Sequence, residues 1–133
     1  MRSKPSLTIA DAHKMMAACL AEAQKNKWPV TIAIVDEAGF PLLLERMDGC
    51  GPFSAEVAVG KARTSALTKR PTKFFEDRIK ERPAFVTFPT PGVMFQGGLA
   101  LVHQGECVGA IGVSGVQSHE DEQVAQAGVT ALG

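Results

Sequence analysis

The sequence lacks most of what would tie it to a nucleic acid, a membrane or an oxidising compartment. Lysine plus arginine and aspartate plus glutamate both number 14, so the formal charge is zero, and no basic run or basic face stands out. A nucleic-acid partner therefore has no electrostatic footprint here, and a membrane-surface role is unsupported for the same reason. No stretch approaches the roughly 18 apolar residues that a membrane span needs. The opening "MRSKPSLTIADAHK" is basic but carries no apolar segment after its charges, unlike a secretory leader. Cysteine is scarce: Cys19, Cys50 and Cys107 are odd in number and far apart, with no CxxC pair. Free thiols in a reducing compartment are expected from that pattern, which points to the cytoplasm.

What is present is ordinary for a globular chain. The 133 residues, 45% apolar and 21% charged, suit one domain over 1–133 that buries a core without staples. "LTIADAHKMMAACLAEAQKNK" reads as a first helix, with Thr8 as N-cap and Asp11 completing a capping box. Ile9, Ala12, Met16, Cys19, Leu20 and Ala23 recur at the three-four spacing of a buried face. "PVTIAIVDEAGFPLLLERMDG" reads as a hairpin whose first strand, Val30 to Val35, is apolar enough to be covered on both sides. "SAEVAVGKARTSALTK" follows as a helix capped by Ser54, with a stripe of small residues at Ala55, Ala58, Val59, Ala62 and Ala66. Lys61, Thr64 and Thr68 fall on another side. Pro71 ends that helix and opens a short third one.

"RPAFVTFPTPGVMFQGG" is irregular and apolar, a kind of segment that is often functional inside a compact domain. A second hairpin, "LALVHQGECVGAIGVSG", turns at Gln104-Gly105, and Ser118 is expected to cap a last helix. Alternation puts Val108, Ala110, Gly112 and Ser114 on one strand face and Cys107, Gly109, Ile111 and Val113 on the other. Both hairpin connections are too short for parallel crossovers, so the class is α+β, an antiparallel sheet with helices packed on it.

The glycine-rich stretch "GAIGVSGVQSHEDEQVAQAG" matches none of three glycine motifs in full. It has no lysine for a phosphate loop, no parallel βαβ context for a dinucleotide, and no closing glycine for a nucleophile elbow. Glycines on a strand more often mark a close approach by another backbone or by a ligand.

Taken with "VGKARTS" and "RPTKFFED", these blocks make the chain resemble the GlcG/HbpS family of small haem-binding or haem-degrading-like domains. Such domains are also found fused to some cobalamin adenosyltransferases. The likeness runs from about Leu7 to Leu132. One departure is that Gly97-Gly98-Leu99-Ala100 stands where members often read Gly-Gly-x-Pro. The resemblance implies a profilin-like fold with a central sheet of about five strands, assembled as a homo-oligomer. It also implies a small-molecule ligand, haem or another tetrapyrrole in the members that bind one.

Haem needs an axial ligand, an apolar slot and cations for its propionates. His13, at the margin of the first helix's apolar stripe, is the candidate axial ligand; His119 and Glu120 are weaker metal candidates. Arg46, Lys61 and Arg63 are candidate carboxylate partners. Phe88, Val93, Phe95, Gly97 and Gly98 are expected to wall the pocket. An enzyme acting on a small carboxylic acid in the same cleft is the alternative, with Asp48, His119 and Glu120 as acid–base groups. A structural or regulatory homo-oligomer is the third reading.

Overall fold

In the computed structural model, residues 1–89 and 92–133 are described. The helix α1 (Ile9–Lys25) leads into the hairpin β1 (Thr31–Asp36) and β2 (Pro41–Arg46). Two helices follow, α2 (Ser54–Thr68) and α3 (Thr72–Glu81), then a single 3-10 turn at Pro83–Thr87. The second hairpin, β3 (Gly98–His103) and β4 (Glu106–Ser114), precedes α4 (Ser118–Leu132). The strands form one sheet in the order β2-β1-β4-β3, antiparallel throughout.

The α+β class is as expected, but among the described residues the sheet has four strands, not about five. Just before β3 the chain lies on α2, where the Val93 N–H donates to the Gly60 carbonyl at 3.1 Å. After β4 the backbone turns at Gly115 (φ +151°) and runs directly into α4.

The two sides of the sheet are packed differently. Ile32, Ile34, Ile111 and Val113 meet α1 and α4, where Met15, Met16, Cys19 and Val124 complete a core of large side chains. Ala33, Val35 and Ala110 face α2, which answers with Ala58, Ala62 and Ala66. Small residues on both partners bring that helix very close. A Cβ added at Gly112 would collide with the Ala58 carbonyl oxygen and lie 2.5 Å from the Ala62 nitrogen. Both halves of β1 are covered, and Thr31 to Val35 are all fully buried.

Three local expectations change. In β4 the register slips between Leu101–Gly109 and Val102–Cys107, leaving Val108 as the extra residue of a bulge. Simple alternation therefore fails there. Val108 joins the core under α1 and α4, while the Cys107 thiol lies 3.6 Å from the Ala66 carbonyl on the α2 side. Ser54 is the first residue of α2 rather than its cap, and its hydroxyl lies 2.6 Å from the buried Thr31 hydroxyl. Gln117, not Ser118, takes the N-cap position of α4, its N–H donating to the Glu120 carboxylate, and Asp121 is buried in the interior. The Thr8–Asp11 box on α1 forms as read, with N–H···O distances of 2.9 and 3.1 Å.

Candidate functional site

The surface of α2 that faces away from the sheet supplies one wall of a cleft. Phe53, Val57, Gly60 and Arg63 succeed one another at three-four spacing, so they line one side of the helix. The segment beginning at Gly92 crosses this row and is pinned by the Val93–Gly60 hydrogen bond. Only glycine allows the crossing. A Cβ on Gly60 would stand 2.6 Å from the Val93 Cγ2, and one on Gly92 would stand 2.5 Å from the Thr64 hydroxyl. The resulting cleft has a volume of about 330 Å³. Val59 and Glu56 complete its walls, and Phe53, 75% exposed, stands at its mouth.

Arg63 is the cation of this cleft. Its guanidinium carbon sits 5.6 Å from the centre of the Phe40 ring. Its Nε is buried and has no hydrogen-bond partner among the described residues. On the other side of Val93 a more apolar hollow of about 450 Å³ is walled by Ile79, Val86, Met94 and Phe95. Phe88 lies apart from both, packed on Phe75 and Phe85 at ring distances of 5.5 and 6.1 Å.

Lys61 points the opposite way from Arg63, into the protein. Its ammonium donates to Asp121 Oδ2 at 3.1 Å and to the Val113 carbonyl at 2.9 Å, and both side chains are 3% exposed. The second Asp121 oxygen accepts the Val116 N–H at 3.1 Å. Burial pushes the Asp121 carboxyl above the ordinary aspartate value, while Lys61 and the Val116 N–H pull it back down. Gly97 and Gly98 lie against this pair rather than in the cleft. A Cβ at Gly97 would be 2.7 Å from the Lys61 ammonium, and one at Gly98 would be 2.6 Å from the Lys61 carbonyl oxygen. Their backbone ties the loop down: the Gly97 carbonyl accepts from Val113, and the Gly98 N–H donates to Thr72.

The structure thus brings Arg63 to Val93, with Phe95 just beyond, and separates them from the rest. His13 is exposed on α1, on the other side of the sheet. Its neighbours one and two turns away, Ala17, Ala21 and Ile9 (53% exposed rather than on the buried stripe as expected), form an exposed row of apolar residues. Arg46 and Asp48 are exposed at and beyond the end of β2, and His103 is exposed at the end of β3. His119 is exposed at the start of α4, and the Glu120 carboxylate accepts the Gln117 N–H. Among the described residues no group of three or more His, Cys, Asp or Glu could hold a metal ion. Sequence reasoning missed Phe53, Val57, Gly60 and Gly92 as cleft residues. The available signal was a glycine inside an alanine-rich helix and another in the proline-rich segment, each unexplained without the other.

A single antiparallel sheet between two helix layers, with surface hollows on both sides, defines a small α+β domain. The chain belongs to the HbpS-like family: the family described as haem degrading protein HbpS-like matches residues 7–130. The GlcG protein of Escherichia coli K12 is 44% identical over 115 residues, which are 86% of this chain and 85% of GlcG. A solved double mutant of Streptomyces reticuli HbpS superposes with a TM-score of 0.91 at 34% identity, covering 100% of this chain and 91% of that one. A PduOC–haem complex superposes with a TM-score of 0.87 at 29% identity, covering 96% and 95% of the two chains.

Proposed function

We propose that this chain binds haem, with His13 as the axial ligand on the outer side of α1. The setting of His13 carries this reading. It is an accessible imidazole flanked at one-turn intervals by Ile9 and Ala17, so a flat macrocycle meets apolar side chains on either side of the iron ligand. The other two histidines are set differently: His119 sits beside Glu120 and Glu122, and His103 ends a hairpin strand over a smaller hollow of about 200 Å³ that it shares with Leu7 and Asp11. Lys14, exposed beside His13, is a nearby cation for a propionate. The structural likeness to a haem complex at 29% identity supports the ligand class. Haem held on a convex helix leaves its far side in water, which favours a second copy of the chain covering it. A homo-oligomer is therefore part of the proposal.

Hemin titration of the purified protein, following the Soret band and the molecular mass together, tests it. The expected result is a saturable, stoichiometric shift that His13→Ala removes and Arg63→Gln leaves intact. A His13→Ala protein with an unchanged Soret titration would remove His13 from the site.

A further inference from the structure

We infer that the cleft between α2 and the Gly92–Val93 segment is a second, separate binding site, which takes a small monocarboxylate with an apolar body. Two features set the ligand's size and shape. The cleft is about 330 Å³, near the lower end for small-molecule sites and too small to enclose a tetrapyrrole. Phe53, Val57, Val59 and Val93 give the cleft an apolar stretch of wall, and hydrocarbon is the matching body for that stretch. Arg63 sets the charged end. Its half-buried guanidinium has a buried Nε–H without a hydrogen-bond partner among the described residues, and the Phe40 ring fixes it from one side. A planar cation with an unmet Nε–H, lining the same cleft as these apolar side chains, is matched by a carboxylate, which can take two of its N–H groups at once.

Glu56 limits the choice further. It lies seven residues before Arg63 on the same row of α2, about 10 Å along the axis, and lines the same cleft. A second carboxylate at the far end of the ligand would meet this like charge, so dicarboxylates are disfavoured. The site is separate from the His13 surface, because the sheet lies between α1 and α2. The inference therefore stands or falls independently of haem binding.

Calorimetric titration of the hemin-free protein at low ionic strength decides the matter, with hexanoate, hexanol and adipate as the compounds tested. Hexanoate should bind saturably at one per chain, and hexanol and adipate should each bind about tenfold more weakly or worse, the range expected for one charge-assisted contact. Arg63→Gln should weaken hexanoate by a similar factor, and Glu56→Gln should improve adipate. His13→Ala should bind hexanoate as the parent does. Hexanol binding as well as hexanoate, an unchanged Arg63→Gln, or no saturable binding of hexanoate would overturn the inference. Should Arg63→Gln fail to fold, the comparison of hexanoate with hexanol on the parent protein still decides it.

Discussion

Replacing Lys61 by methionine is the most informative single perturbation of this fold. The lysine ammonium and the Asp121 carboxylate are 3.1 Å apart and almost wholly buried, so removing one partner strands the other charge in the interior. A broken buried pair costs about 3–5 kcal/mol, against a total domain stability of about 5–15 kcal/mol. For a chain of this size that is a fall in melting temperature of roughly 10–20 °C. The sign with pH follows from Asp121. Burial is the first cause of its raised pKa, and Lys61 is the largest influence pulling it down, so the pKa rises further in Lys61→Met. A carboxyl raised in the fold binds its proton more readily than in the unfolded chain. Its charge penalty is thus present above the folded pKa and is relieved as pH falls through it. The deficit of Lys61→Met relative to the parent should therefore shrink between pH 7 and pH 4.5. Asp11, Glu22, Asp77 and Glu106, all held low by hydrogen bonds, lose their contribution mainly below that range and do so alike in both proteins, so they leave the difference intact. The double variant Lys61→Met/Asp121→Leu should recover most of the loss, because it removes the stranded charge as well. Thermal melts of the three proteins at each pH provide the assay. A deficit that is the same at both pH values, or a double variant no better than the single one, would refute the electrostatic account.

Gly60→Ala separates the cleft from the fold. Alanine strengthens an exposed helix turn by about 1 kcal/mol, but here its Cβ meets Val93 Cγ2 at 2.6 Å and pushes the crossing segment away. The melting temperature should change little while hexanoate affinity falls, and an unaltered affinity would mean that the crossing segment does not shape the site. The thiols make a third check. Cys19 is fully buried and its pKa is pushed up to about 12, so it should resist alkylation in the native protein and react only on unfolding. Half-buried Cys50 should label first, as read by mass spectrometry of the native protein, and early labelling of Cys19 would contradict the packing of α1 on α4.

Much of the frame was readable because local chemistry agreed with tertiary packing. The Thr8–Asp11 box, the doubly covered run from Val30 to Val35, the Asp36–Gly39 turn and the Pro71 boundary all appear where side-chain type and spacing put them. What escaped depended on partners distant in sequence. Nothing local marks Val108 as a bulge, because the slip is set by how β3 pairs with it. Lys61 reads as a surface cation until Asp121, 60 residues on, is placed against it. The candidate site was half legible for the same reason: Arg63 and Val93 carried visible chemistry, whereas Gly60 and Gly92 matter only through their contact. His13 was grouped by chemistry with Phe88, Val93, Phe95, Gly97 and Gly98, but the sheet lies between His13 and the α2 side, where Val93 packs.

The glycines of β4 and of the loop before β3 explain how one helix can do two things. Gly112 lets the backbone of α2 settle directly on the sheet, and Gly98 lets the chain pass beneath the Lys61 carbonyl. At that depth Lys61 reaches through to Val113 and Asp121, locking α2 to β4 and α4. Arg63, two residues on and so rotated about 200° around the helix, must then face outward beside Gly39 and Phe40. Small residues in the sheet thus act neither as a phosphate loop nor as a nucleophile turn. They set the height of α2, and that height places one cation inside the fold and presents the other to the cleft.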